Sequence, residues 1–486
     1  MLHLQYLAAK GWPDLQFEFR DSFSVIFVSP LHHTTVKSSM ALGEKEKITK
    51  KRARSGRDVD TEVDIEDFSR EETLKMRSSL LQWYYENQRV LPWRKNQDDE
   101  DNNAQGVSDT RAYAVWVSEV MLQQTRVASV IDYYNRWMEK WPTVYHLAQA
   151  SQEEVNEMWA GLGYYRRARY LLEGAKLIVE RGEFPKTVSA LREIPGIGDY
   201  TAGAIASIAF KETVPVVDGN VVRVIARLKA ISANPKEGKT IKSFWKLAGQ
   251  LVDPLRPGDF NQALMELGAT ICNPSSPSCS TCPISEQCHA LSVSRNCQSI
   301  QVTDYPTKIV KAEKRCDFAA VCVVEISEGP DIQEGDHKSK GFLLVKRPEE
   351  GLLAGLWEFP SVLLGGEVNL ITRRKVMDQY LKKSFNLDAK RNCSIALREV
   401  VGEYVHIFSH IQLRMYVELM VLHLKGGENI IFPKMDKETV TWKLVDGKSI
   451  QSMGLTSGVR KVYNMIQKFK KSRLSKNPTN HKGKRI

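Results

Sequence analysis

Long apolar runs are missing from these 486 residues, so no stretch is expected to cross a bilayer. Cysteine is sparse too: eight in the whole chain, too few for a disulfide scaffold. Four of them cluster, which in a reducing compartment points to a metal site. Acidic residues are outnumbered, 58 Asp and Glu against 69 Lys and Arg, and the net charge of +11 suits a polyanionic partner. The length allows two or three domains with enough core to fold unaided. Residues 1–70 lack helical period and hold only short apolar patches around Phe17, Phe19 and Phe23, so they read as a disordered basic segment. Asp14, Glu18 and Asp21 argue against an organelle transit peptide, and Met40 offers a second start. The basic cluster at 45–57, KEKITKKRARSGR, is either a solvated tail or a nuclear-import signal, and import is favoured.

From Ser69 the spacing of Leu74, Met76, Leu80, Leu81 and Tyr84 predicts an amphipathic helix, ended by Leu91-Pro92-Trp93-Arg94. The acidic stretch 95–110 is expected to be an exposed loop. Residues 113–127, YAVWVSEVMLQQTRV, are apolar nearly all round and predict a buried helix. Glu119 inside it is anomalous: it is either a salt-bridged core residue or an acid whose burial favours its protonated form. Residues 159–169, WAGLGYYRRAR, set aromatics that can stack on bases beside arginines that can hold phosphates. Of its two tyrosines, Tyr165 reads as packed against a helix.

Pro195-Gly196-Ile197-Gly198 is too glycine-rich for a helix interior and predicts a tight turn, with a helix at 201–209 after it. Amides at such a turn and at the next helix start suit a phosphate. Asp218, between valines and Gly219-Asn220, reads first as the N-cap of a helix at 221–228. Residues 239–271 predict two helices. Cys272, Cys279, Cys282 and Cys288 follow with spacing C-x6-C-x2-C-x5-C, which could hold tetrahedral zinc or an iron–sulfur cluster. Residues 296–316 read as a linker flanked by ordinary thiols at Cys297 and Cys316. Strands are expected at 318–326, 341–346 and 411–422, a helix at 372–386, a long loop at 347–360, and a disordered basic tail at 469–486.

Residues 191–218 resemble the helix-hairpin-helix DNA glycosylase superfamily. The string 116–125, WVSEVMLQQT, narrows the resemblance to the MutY-type adenine DNA glycosylases. The cysteine spacing is similar to the [4Fe–4S] loop of endonuclease III and MutY, and the likeness extends over residues 70–465. It implies a mostly α catalytic domain at 71–295, with the iron–sulfur loop at 272–288, and an α+β Nudix-like domain at 317–468. It also implies that Glu119 is the general acid that protonates N7 of an extruded adenine. Asp218 would stabilise the sugar cation left behind, and the four cysteines would carry a [4Fe–4S] cluster that ties down the end of the catalytic domain. Arg94, Leu122, Gln123, Gln124, Tyr164, Gly196, Gly198, Tyr200 and Gln262 fall on DNA- or base-contacting positions, with Tyr164 as the wedge. Phe408, Ser409 and His410 fall on the loop that reads 8-oxoguanine.

This chain departs from the family pattern at three places. Strand-cutting relatives carry a Lys where Tyr200 stands, and a phenol cannot form an imine, so a monofunctional glycosylase is expected. The loop at 273–278 reads NPSSPS where bacterial relatives are basic, so phosphate contact there is not expected. The segment from Gly365 supplies Arg373, Arg374, Lys382 and Lys383 where a Nudix hydrolase needs a Glu-rich, metal-binding helix, so binding without hydrolysis is expected. The implied partner is double-stranded DNA with an A:8-oxoguanine or A:G mismatch. Repair proteins would bind at the linker, and the enzyme would be a monomer in the nucleus, with room for an organelle pool. Two rivals are an endonuclease III-like glycosylase/lyase, opposed by Tyr200, and a non-catalytic mismatch binder, opposed by the retention of Glu119 and Asp218.

Overall fold

Helix ends and turns are set by a few capping side chains, and these place the site residues. The computed structural model describes residues 66–94, 105–309, 313–329, 339–425 and 440–476. The expectations for 1–65, for 95–104 and for 477–486 lie outside the described residues. In chain order the first helices are α1 (Arg70–Asn87), α2 (Gln105–Leu122), α3 (Val127–Lys140), α4 (Val144–Ala148), α5 (Gln152–Trp159) and α6 (Arg166–Arg181). They are followed by α7 (Val188–Leu191), α8 (Asp199–Phe210), α9 (Gly219–Leu228), α10 (Gly238–Leu251), α11 (Pro257–Thr270) and α12 (His289–Asn296). The chain forms two compact units, and neither follows chain order. Of the described residues, one takes those up to Arg89 with Lys186–Glu193 and Ile197–Lys308; the other takes those of Val90–Pro185, Ile194–Gly196 and from Ile309 onward.

In the first unit, Ser69 and Glu72 form a reciprocal capping box that starts α1. Its Met76, Leu80, Leu81 and Tyr84 pack with Val224 of α9, Phe244 and Leu247 of α10, and Phe260 and Leu264 of α11. Arg77 hydrogen-bonds the carbonyls of Gln250, Leu251 and Val252, where α10 runs out of intrahelical donors. Glu266, buried on α11, is matched by Arg89 at 2.6 Å. The two helices expected at 239–271 are α10 and α11. The stretch expected to be a linker holds a short 3₁₀ turn, Val302–Asp304, and Arg227 donates to the Tyr305 carbonyl. Its first part is therefore bound to the helices.

In the second unit, α2 buries Tyr113, Val115, Trp116, Val117, Val120 and Met121. Two expectations are corrected here. Residues 105–110 are helical, part of α2 and not of an exposed loop. The helix expected to run to residue 127 stops at Leu122, and α3 starts at Val127. Apolar periodicity runs across both helices and hides the break, which is made by a left-handed residue, Gln124 (φ 54).

Among the described residues seven strands follow: β1 (Arg315–Ser327), β2 (Ser339–Lys346), β3 (Trp357–Glu358), β4 (Ser361–Leu364), β5 (Cys393–Ile407), β6 (Ile411–Leu424) and β7 (Trp442–Val445). The sheet order is β3-β2-β1-β6-β5, with β4 on β1 and β7 on β2. β1 and β6 run parallel and the other pairs antiparallel. The helices of this part are α13 (Leu370–Phe385), α14 (Gly447–Ser452) and α15 (Ser457–Lys476). Alternate residues of β1 serve opposite layers: Cys322 and Val324 meet Met377, Leu381 and Phe385 of α13, while Val321 and Val323 meet Val462, Tyr463 and Ile466 of α15. The strands at 318–326, 341–346 and 411–422 and the helix at 372–386 match expectation. β5 is a strand that the pattern did not announce. Its register shifts at Ile395/Leu397 and Val400/Gly402 break the alternation that would have marked it. The basic tail is corrected as well: residues 469–476 continue α15, because Lys470 reaches back to the buried carboxylate of Glu325.

Candidate active site

Glu119 sits on the last full turn of α2, 6% exposed, one turn beyond buried Val115 and Trp116. Leu122 ends the helix half-buried, Gln123 is half-buried in the turn that follows, and Gln124 is exposed with φ 54. That turn is held from the other side by Arg167. Its Nη1 donates to the carbonyls of Val120 (2.7 Å), Met121 (3.2 Å) and Gln123 (2.7 Å), and its Nη2 donates to those of Leu162 (3.4 Å) and Gly163 (3.2 Å). Burial lowers the Arg167 pKa to about 10. The expectation that the arginines of this segment hold phosphates is corrected for Arg167 alone, whose donors are turned to carbonyls. Arg166 bonds the Tyr170 hydroxyl at 2.6 Å, and Arg169 pairs with Glu173 at 3.4 Å. Next to them, Tyr164 is 48% exposed at φ 49 and Tyr165 is buried.

Phe408-Ser409-His410 forms the turn between β5 and β6, closed by the Phe408 amide donating to the Ile411 carbonyl at 2.8 Å. The Phe408 ring stands edge-on to His406 at 4.4 Å between centroids. Ser409 and His410 are exposed, and the Ser409 and Tyr164 hydroxyls lie 2.5 Å apart. Within this unit the structure thus brings together the end of the Glu119 helix, the glutamine turn, Tyr164 and Ser409. Arg94 lies half-buried in a turn, its amide donating to the Leu91 carbonyl.

Asp218 caps α9. Its Oδ1 accepts from the Val221 amide at 2.8 Å, and its Oδ2 from the Asn220 side chain at 2.7 Å. Burial raises its carboxyl above the ordinary range, opposed by those two hydrogen bonds and by Arg223 at longer range. The capping reading and a functional one are therefore compatible in one residue. Asn220 in turn accepts from Arg223 at 2.8 Å, and Arg223 donates to the carbonyls of Gly268 and Cys272. The sequence reasoning missed Asn220 and Arg223. Their i, i+3 spacing just past Asp218 was the available signal.

Gly196 has φ 80, and a Cβ on it would stand 2.5 Å from Cβ of Tyr170, so only glycine fits. Gly198 caps α8, where a Cβ would meet nothing within 4 Å. The Tyr200 hydroxyl points at the Met265 sulfur, 3.5 Å away. Gln262 is half-buried on α11 and bonds back to the Gly258 carbonyl at 3.3 Å.

All four clustered cysteines are free and partly buried, and Cys272, Cys282 and Cys288 pack against the first unit's core. Arg227 donates to the Cys272 sulfur at 3.2 Å and to the carbonyls of Asn273 and Pro274. Burial pushes the Cys282 thiol up to about 12 and that of Cys288 to about 11. Such sulfurs become thiolates only with a cationic group to compensate, which fits a metal centre. Among the described residues no three His, Cys, Asp or Glu side chains converge as they would around a single ion. In the sheet, Arg374 and Arg398 both pair with Glu418, at 2.5 and 2.9 Å, and Arg398 also pairs with Asp378. Arg373 lies over the Tyr416 ring at 4.0 Å.

Residues 117–250 match the family model of the HhH-GPD superfamily base excision DNA repair proteins, and residues 335–465 match that of the NUDIX domain. The chain is 56% identical over 422 residues to an adenine DNA glycosylase of Arabidopsis thaliana, covering 82% of itself and 65% of that protein, just under two thirds of its length. It is 46% identical over 385 residues to the adenine DNA glycosylase of Mus musculus, covering 71% of itself and 70% of the relative. With that of Schizosaccharomyces pombe it shares 38% over 399 residues, covering 74% and 84%. Identity at this level, sustained across both domains and most of the length of two of these relatives, means that the chain belongs to the family of adenine DNA glycosylases.

Proposed function

We propose that the chain is a monofunctional glycosylase that removes adenine mispaired with 8-oxoguanine or guanine in double-stranded DNA during base excision repair. The observation that carries the reading is Asp218, a carboxylate at a helix N-terminus, hydrogen-bonded by two amides and in no ion pair among the described residues. An anion held without a neutralising cation is suited to stabilising positive charge that develops on a substrate. In this reading the adenine is extruded from the stack and Glu119 protonates it at N7, making it a leaving group. The bond to C1′ breaks, Asp218 stabilises the sugar cation, and water completes the reaction. Tyr200 offers a phenol where a lyase needs an amine, so the product is an abasic site.

On the partner strand, Tyr164 stacks as a wedge while Phe408, Ser409 and His410 read the purine. Ser409 supplies a hydroxyl that can hydrogen-bond a modified base. Cys272, Cys279, Cys282 and Cys288 hold a [4Fe–4S] cluster, which when bound supplies the positive charge that keeps buried sulfurs as thiolates. The Nudix-like domain binds without hydrolysing, since α13 carries Arg373, Arg374, Lys382 and Lys383 where a hydrolase needs metal-binding glutamates. The enzyme acts as a monomer in the nucleus, and the linker is the place for repair-protein partners.

Single-turnover adenine release from a duplex with one A opposite 8-oxoguanine tests the reading, with A opposite T as control and borohydride trapping in parallel. Release from the mismatch alone, with the strand intact and no trapped adduct, is the expected result. Mismatch binding with no release would make the chain a binder, and a trapped adduct would make it a lyase.

A further inference from the structure

Arg167 has a role that its neighbours Arg166 and Arg169 lack. Its guanidinium is mostly surrounded by protein and faces backbone carbonyls on two sides, three from the end of α2 and its turn and two from the loop before Tyr164. The first group belongs to the end of a helix, where carbonyls lack intrahelical donors and the helix dipole favours a cation. Its planar fork suits this bridging, with Nη1 serving one backbone segment and Nη2 the other. The flat of the guanidinium lies over the rings of Trp159 (5.2 Å) and Tyr164 (5.5 Å).

Both segments carry backbone strain beside these bonds. Gln124 has φ 54 and Tyr164 φ 49, and neither is a glycine. Non-glycine residues in this region cost free energy and persist only where the surroundings hold them. One side chain therefore holds two strained turns at a fixed spacing, and the turns carry Gln123, Gln124 and Tyr164.

We propose that Arg167 is a positioning residue that locks the glutamine turn and the Tyr164 loop into one rigid probe for mispaired DNA. The proposal rests on the functional reading above, because it takes those side chains as the ones that enter the duplex. It assigns no contact between Arg167 and DNA. The arginine acts through the backbone it holds, and a shift of about 1 Å in either turn would be felt at the mismatch.

The test compares the full chain with Arg167→Lys and Arg167→Met, since lysine keeps the charge but cannot fork. Two readouts are taken: hydrogen exchange at the amides of residues 121–125 and 161–165, and single-turnover adenine release with affinity for A:8-oxoguanine and A:T duplexes. Faster exchange is expected in both segments and in neither β1 nor α13. Adenine release should fall by about 100-fold. Mismatch affinity should drop toward the A:T value, and A:T affinity itself should stay near wild type. Lysine should rescue little. Wild-type release and discrimination in Arg167→Lys would overturn the proposal, as would exchange that rises throughout the unit. If the wild type released no adenine, the functional reading would fail, and exchange confined to the two segments would still establish the clamp.

Discussion

Asp218 and Glu418 are both acids on structured elements, and the two parts of the chain treat them oppositely. Glu418, on β6, is held by two arginines, Arg374 at 2.5 Å and Arg398 at 2.9 Å. Asp218 is held only by amides, with Arg223 acting on it at longer range. Neutralisation makes an acid structural, because its field is spent on a partner. Amide capping holds an acid in place and leaves its charge available. The difference separates an acid whose charge is left available from one whose charge is neutralised within the fold.

The largest effect should come from removing the available charge. Asp218→Asn keeps a capping side chain for α9 and should cost on the order of 100- to 1,000-fold in single-turnover adenine release, with DNA affinity little changed and melting temperature no lower. An equal loss of DNA affinity would blur the comparison. Glu418→Ala should do the reverse. Arg374 left without its anion, and Arg398 left with Asp378 alone, should cost about 3 kcal/mol of stability in urea unfolding, while the folded protein still releases adenine. Loss of adenine release without loss of stability would show that Glu418 is not merely structural.

A smaller, graded effect follows from pH. Burial holds the folded Asp218 pKa above its unfolded value, so ionising this carboxyl costs stability, and the cost fades as pH falls through the folded pKa. Activity runs the other way, because the cation needs the anion. The acid limb of the rate profile should lie above the ordinary carboxylate range and vanish in the residual activity of Asp218→Asn. A limb at an ordinary carboxylate value would count against the buried-anion account.

Much of the helical part is legible in local pattern. Residues Met76, Leu80, Leu81 and Tyr84 show a 3.6-residue period and are the buried face of α1. Asp218 as an N-cap, the glycine turn at 195–198 and the paired helices before the cysteines follow from local chemistry alone. Local signals fail where an irregularity interrupts a pattern. The break at Gln123 to Thr125 lies inside a continuous apolar period, and β5 hides behind two register shifts. In the tail, Lys470 reads as solvated charge, yet its partner is buried Glu325, 145 residues away.

One residue or a short run is enough to define the acids, the four thiols, the phenol in place of a lysine and the periodicity of most helices, so the amino-acid sequence settles these unaided. What those groups face is settled by folding. Arg166, Arg167 and Arg169 are alike in sequence, yet Arg167 alone binds carbonyls from two segments. Tyr164 and Ser409 are 245 positions apart, and their hydroxyls stand 2.5 Å from each other. Whether a charge is free, clamped or neutralised depends on partners distant in sequence, and only the tertiary fold brings those within hydrogen-bond reach.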